Sequence, residues 1–174
     1  MTTIGVAIAV PESWGAHLQE YRTRLGDTTA EGIPTHITLM PPIEVGTDDL
    51  PRVEQHLAEA SAHNISFKIH LRGTGTFRPI SPVVFVVVVQ GISQCEQLAF
   101  SVRRGPLACE LQFPYHPHVT VAHHLDDEGL DKAFAELGSF ECEFEADHFS
   151  LYVHDKDRGW QPTRDFALTA RSDA

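Results

Sequence analysis

The chain has 174 residues, of which 42% are hydrophobic and 21% charged, a composition typical of one globular domain. Its formal net charge of −11 excludes extended, non-specific nucleic-acid binding, because that function needs a large basic patch to neutralise phosphates. A small phosphate ester or an RNA end remains compatible with this charge, since a few polar side chains suffice to hold it.

The hydrophobic segments indicate no contact with a membrane. The longest apolar run, residues 83–89, is too short to span a bilayer, and the apolar stretch over residues 4–10 has no Lys or Arg before it. Three widely spaced cysteines without a C-x-x-C pattern predict neither a disulfide framework nor a zinc site. We therefore expect a cytoplasmic protein.

The first half of the chain predicts five elements. They are a strand over residues 3–10, a helix over 12–25, a strand around His36, a helix from about 47 to 62, and a strand over 66–76. Pro11 suits the start of the first helix, and alternating apolar residues indicate the last strand.

The second half repeats the same order. It predicts a strand over 83–90, a helix over 93–104, a strand over 117–122, a helix that begins at Asp126, one or two strands over 140–153, and a last strand over 161–169 that pairs at a sheet edge.

A β-α-β-α-β order that occurs twice predicts an α+β fold with two lobes related by a pseudo-two-fold axis. We expect two mostly antiparallel sheets, helices on the outer faces and a central cleft. The chain then forms a single bilobal domain over residues 1–174, with lobe 1 at about 1–78 and lobe 2 at about 82–174. The boundary lies at the prolines near residue 80, and strands near the ends of the lobes can cross between them.

One short pattern occupies equivalent places in the two halves: His36-Ile37-Thr38 and His118-Val119-Thr120. A strand points alternate residues to the same face, so His and Thr share one face in each copy. A single copy more often contains a structural histidine. Two copies in equivalent strands indicate two imidazoles and two hydroxyls across one cleft.

These side chains suit acid–base chemistry on a phosphodiester. One neutral imidazole can remove a proton from the attacking oxygen while a protonated one supplies a proton to the leaving oxygen. The Thr38 and Thr120 hydroxyls can donate to the phosphoryl oxygens. The pattern requires no cofactor and no metal.

The paired motifs, with Tyr115 and His116 before the second, resemble the two-histidine (2H) phosphoesterase superfamily and, within it, the 2′-5′ RNA ligase (LigT-like) family. The resemblance covers nearly the whole chain and implies a bilobal α+β fold. It also implies metal-independent chemistry at 2′,3′-cyclic phosphates or 2′-5′ phosphodiesters. His36 and His118 would form the acid–base pair, and Thr38 and Thr120 would bind the phosphate.

Two departures from the family pattern affect the expected substrate. Val121-Ala122-His123 follows the second motif, where many relatives have an arginine at the last position. After the first motif, Met40-Pro41-Pro42 replaces the more usual apolar-Phe-Leu-Gly. The missing arginine and the acidic charge favour a small nucleotide-like substrate over a tRNA-sized one.

Further residues are candidates for lining the substrate site. Tyr115 could stack on a base, although a packing role suits it as well, and His116 and His123 could widen the phosphate site. Arg78 could reach a phosphate, although a surface ion pair is the simpler interpretation. His124 is expected to be exposed, and to point away from His123 if the strand continues. The remaining candidates share one face of a predicted strand: Tyr152 and His154.

Three other interpretations stay open. The segment His116-Pro117-His118 partly resembles the histidine-triad nucleotide hydrolases, but Thr120 replaces the third histidine and the motif at His36 is left unexplained. Eleven histidines raise the question of a metal site, without a recognised ligand spacing. A protein of the same fold could also bind a nucleotide or an RNA end without turning it over.

Overall fold

The structure, a computed structural model, describes residues 1–172, which form eight β-strands and four α-helices. In chain order these are β1 (Thr2–Ala9), α1 (Trp14–Arg24), β2 (His36–Val45), α2 (Leu50–Ala62), β3 (Phe67–Thr76), β4 (Val83–Gln90), α3 (Ile92–Val102), β5 (His118–His123), α4 (Asp127–Glu136), β6 (Glu141–Ala146), β7 (His148–Asp155) and β8 (Gly159–Ala167). The predicted α+β fold with a repeated β-α-β-α-β order is confirmed. The predicted segment 140–153 divides into β6 and β7, and β8 pairs at a sheet edge as expected.

The strands form two antiparallel four-stranded sheets. The first sheet has the order β2-β1-β7-β8, and the second has the order β5-β4-β3-β6. Strand β3 from the first half therefore lies in the second sheet, while β7 and β8 from the second half lie in the first. Cutting the chain near residue 80 would therefore not separate the two sheets, because each sheet contains strands from both halves of the chain.

The apolar faces of the helices cover the sheets and close one continuous core. Helix α2 buries Val53 and Leu57, and helix α3 buries Cys95 and Leu98, at the three- to four-residue spacing of an amphipathic helix. Helix α4 starts at a cap in which the Gly129 backbone N–H donates to the Asp126 carboxylate (2.8 Å). Within residues 1–172, no helix has the length and apolarity to cross a membrane.

The two sheets meet along edge strands. Strand β2 ends the first sheet, β5 ends the second, and these two strands contact each other. Helix α1 packs against β5 while α3 packs against β2, so each helix covers the motif strand of the other half. This arrangement brings the two His-x-Thr segments together at the junction of the sheets.

Candidate active site

Both motifs lie on edge strands with the same pattern of exposure. In β2, His36 and Thr38 are partly exposed, whereas Ile37 is fully buried. In β5, His118 and Thr120 are partly exposed, with Val119 and Val121 fully buried between and after them. The apolar residues hold each strand to the core, so the histidine and threonine of each motif face outward together.

The two imidazoles are held in the same way. The Nδ1–H of His36 donates to the carbonyl of Pro34 (2.6 Å), and the Nδ1–H of His118 donates to the carbonyl of His116 (2.7 Å). A carbonyl only accepts, so each bond places the proton on Nδ1 of the neutral ring. In both rings Nε2 is then the nitrogen available for proton transfer.

Burial favours the neutral form of both imidazoles. It lowers the pKa of His36; the bond to Pro34 opposes this effect, and the charge of Arg22 adds to it. Burial also lowers the pKa of His118, and protonation of the neighbouring His116 or of His36 lowers it further. Because His36 acts on the pKa of His118, the two candidate acid–base groups form one electrostatic system.

Tyr115 connects the two motifs. Its hydroxyl donates to the backbone carbonyl of Thr38 (2.7 Å), and the guanidinium of Arg103 lies over its ring, 5.5 Å from the centroid. The ring packs against the core, and burial raises the pKa of its hydroxyl. Tyr115 therefore takes the packing role, and its hydroxyl holds the first motif strand to the segment before the second.

A cavity of about 440 Å³ opens on the His36 side of the site. Two small residues of β1, Gly5 and Ala7, form its floor. They lie between the larger side chains of the neighbouring strands β2 and β7. The side chains that line it include His36, Thr38, Met40, His123, Tyr152 and Trp160. Below, this space is called the His36 cavity.

The His118 side of the site is filled by aromatic rings. His118 contacts Phe77 and Phe85 edge-on, with ring centroids 4.9 and 5.4 Å away. Thr120 pairs with Phe85 on β4, whereas Thr38 pairs with the small Ala7 on β1. A Cβ at Gly75 would lie 2.7 Å from the Phe85 ring, so the glycine is what admits this ring. The pseudo-two-fold axis therefore relates an open half-site to a filled one.

The structure separates the remaining candidates. His123 and Tyr152 line the His36 cavity, and burial lowers the pKa of His123 and raises that of Tyr152. His154 is exposed and meets Trp160 edge-on at 5.1 Å. His116 is exposed, with its ring 5.5 Å from those of Phe77 and Phe85.

The structure also places two further side chains named from the sequence, Arg78 and His124. The Arg78 guanidinium pairs with Asp131 (2.9 Å) and Asp127 (3.5 Å) beside a separate shallow depression, so it forms a surface ion pair, the simpler of its two interpretations. His124 is exposed as expected, but β5 ends at His123, so the strand alternation does not extend to His124, and the two rings stack with centroids 3.8 Å apart. The reason is a left-handed backbone at His124 (φ 59°), which ends the strand alternation and turns the ring back.

Sequence patterns did not reveal two features near the site. Trp160 lies just before the strand predicted to start at residue 161. Arg22 donates from Nε (3.0 Å) and Nη2 (2.6 Å) to Asp27, and both residues are at least 95% buried. The position of Arg22 on the inner face of an amphipathic helix could have indicated this ion pair, since a buried guanidinium needs an acidic partner.

Asp27 is held on both oxygens. Burial alone would raise its pKa, but bonds from Thr29 (2.6 and 3.1 Å) and from Arg22 hold that pKa below its usual value. The Arg22 charge lowers the pKa of both His36 and His123, whereas Asp27 raises that of His123. This buried ion pair therefore adds to the effect of burial, the larger cause, on the histidines of the His36 side.

The described part of the chain contains no group of three or more His, Cys, Asp or Glu side chains arranged to hold a metal ion. Two imidazoles and two hydroxyls are the polar groups that the motifs bring to the junction of the sheets.

Comparison with known proteins agrees with this geometry. A candidate phosphoesterase of Bacillus licheniformis is 28% identical over 152 residues, which cover 86% of this chain and 89% of the relative. A crystal structure of a phosphoesterase superposes with a TM-score of 0.68 at 22% identity, covering 97% of this chain and 98% of that one. E. coli LigT bound to 3′-AMP gives a TM-score of 0.67 at 20% identity with the same coverage. The sequence model of the 2′-5′ RNA ligase superfamily matches residues 10–158, so the chain belongs to that superfamily, which confirms the resemblance carried by the motifs.

Proposed function

We propose that the protein is a phosphoesterase that opens 2′,3′-cyclic phosphates, or cleaves 2′-5′ phosphodiesters, of a small nucleotide or an RNA end. One observation carries this proposal: two histidines on adjoining edge strands each donate Nδ1–H to the carbonyl two residues earlier. Both rings are thereby fixed in the same tautomer with Nε2 free. Two fixed imidazoles that influence each other's protonation suit a reaction that needs one acid and one base.

The reaction would use the two histidines in complementary states. The neutral imidazole takes the proton of the attacking water, while the protonated one gives a proton to the ribose oxygen that leaves phosphorus. The hydroxyls of Thr38 and Thr120, on the same outward faces, donate to the phosphoryl oxygens and stabilise their charge. The products are a phosphomonoester and a free ribose hydroxyl.

Relatives support a nucleotide-like substrate. E. coli LigT has been crystallised with 3′-AMP, NADP⁺ and ATP. The net charge of −11 and the His123 side chain, which stands where many relatives have arginine, favour a substrate with few phosphates. Membership of the superfamily leaves the histidine-triad interpretation without support. We expect the protein to act in the cytosol, which its cysteine usage favours.

Hydrolysis of nucleoside 2′,3′-cyclic phosphates in the presence of a chelator tests this function. We expect activity in the wild type and a loss of at least a hundred-fold in His36→Asn and in His118→Asn, since a positioned acid or base contributes about 10²–10⁴-fold. The matched control is His63→Asn, an exposed histidine at the end of α2.

The results separate the enzyme from a protein that only binds. Equal turnover in the wild type and both motif variants would refute the acid–base mechanism. Saturable binding of the cyclic phosphate without turnover by the wild type would instead establish a non-catalytic binding protein of the same fold.

A further inference from the structure

The His36 cavity is larger than the motifs alone require. About 440 Å³ is within the size range of small-molecule sites, and the space extends from His36 and Thr38 past Met40 to Trp160. Phosphate contacts account for the hydroxyls and imidazoles at one end. They do not account for the aromatic and apolar side chains at the other.

Small residues on β1 create this space. Gly5 pairs with Tyr152 on β7, and a Cβ at position 5 would lie 3.5 Å from the Trp160 ring. The Trp160 ring therefore lies over a backbone without a side chain, beside an open volume. On the other side of the pseudo-two-fold axis, Phe85 fills the equivalent region and packs against Phe77 (4.4 Å between centroids).

The lining is uncharged apart from titratable imidazoles. No Lys, Arg, Asp or Glu among the described residues 1–172 lines the cavity. Burial lowers the pKa of both His36 and His123, which keeps these rings predominantly neutral near pH 7. The cavity therefore offers no fixed positive charge to bind a second phosphate group. It does offer an aromatic side chain on which a flat, uncharged ring can stack.

We propose that the far end of the His36 cavity, formed by Gly5, Met40, Tyr152 and Trp160, binds the nucleobase of the substrate. This inference rests on the proposed function and adds to it an orientation: the nucleoside occupies the first sheet's side of the site, since Phe77 and Phe85 close the other. Stacking on an aromatic side chain tolerates different bases, because every base has a π-face. The site therefore favours substrates that carry a base, but it distinguishes only weakly between different bases.

A base-free substrate separates base binding from phosphate chemistry. We expect kcat/KM for adenosine 2′,3′-cyclic phosphate to exceed that for methyl riboside 2,3-cyclic phosphate by about ten-fold or more, the size of one stacking contact. Trp160→Ala removes the wall, and Gly5→Val places methyl groups in the cavity. In both variants this ratio should fall toward one.

Phe100→Ala is the control, because it removes an exposed aromatic side chain (62% exposed) on α3. It should keep the wild-type ratio. A wild-type ratio near one, or a ratio that both cavity variants leave unchanged, would overturn the base site while leaving phosphoesterase activity intact.

A binding measurement tests the site even if neither cyclic phosphate is hydrolysed, an outcome that would refute the proposed function separately. The chain has two tryptophans, so Trp14→Phe leaves Trp160 as the single indole fluorophore. We expect adenosine 2′,3′-cyclic phosphate to quench Trp160 emission saturably and the base-free analogue to leave it unchanged. No quenching by the adenosine compound, or equal quenching by both, would refute the base site.

Discussion

Replacing Asp27 with Asn removes the carboxylate that compensates the buried Arg22 charge. The wild-type carboxylate accepts four hydrogen bonds, two from Arg22 and two from Thr29, at 2.6–3.1 Å. An Asn amide cannot accept on both sides, so a buried donor also loses its partner. Removing one member of a buried pair costs about 3–5 kcal/mol of folding free energy. In a chain of this size that lowers the Tm by about 6–20 °C.

Urea and thermal unfolding at pH 7 measure this loss. The pKa of Asp27 lies below its ordinary value of 3.8, so the pair stabilises the fold above pH 3.8 and loses its contribution as pH falls through the lowered pKa. The difference between wild type and Asp27→Asn should therefore disappear in strong acid. The pH profile of kcat/KM should also move to lower pH, because the uncompensated Arg22 charge lowers the pKa of His36 further.

Glu143→Gln is the matched control, since it breaks an ion pair with Lys68 at the surface, where solvent screens it (2.8 Å). It should change the Tm far less than Asp27→Asn does. Equal Tm shifts for the two variants, or a pH profile that does not move in Asp27→Asn, would refute the role given to the buried pair.

Three further outcomes are expected. Burial lowers the pKa of both His36 and His118 below the ordinary 6.5, and catalysis needs one ring protonated and one neutral. We therefore expect kcat/KM to be highest below about pH 6.5, and an optimum above pH 7.5 would contradict this expectation. Thr38→Val and Thr120→Val keep the side-chain shape but remove a donor to the phosphoryl oxygens, so steady-state assays should show each reducing kcat about 10²–10³-fold. Tyr115→Phe removes the bond to the Thr38 carbonyl; urea titration should show a loss of about 1 kcal/mol of stability, and an unchanged urea midpoint would show that this bond is not needed.

Alternation along single strands was readable from the sequence. The pattern around His36 and His118 predicted which residues face outward, because Ile37 and Val119 between them must be buried to hold each edge strand. The order of elements was equally readable, since each has its own periodicity.

Strand partners were not readable from the sequence. An alternating strand such as β3 shows that one face is buried but not which neighbour it pairs with, so its position beside β4 in the second sheet came from the structure. Cavities have the same limitation. The small residues Gly5 and Ala7 fit a strand anywhere, and only the ring of Trp160, more than 150 residues later, gives them a role at the site.

The exchange of strands between the sheets also bears on how the site moves. The described chain passes from the first sheet to the second through α2, and returns through the single residue Asp147 between β6 and β7. After β8 the chain is hydrogen-bonded to the segment that precedes β3. The Ser66 N–H donates to the Thr169 carbonyl, and the Thr169 N–H donates to the Asn64 carbonyl. Two-lobed enzymes commonly close by bending at a few hinge residues, but two crossings and a hydrogen-bonded tie leave little freedom for such bending. His36 and His118 are then held at a fixed separation before substrate arrives, and substrate entry depends on movements of the side chains around the His36 cavity more than on lobe closure.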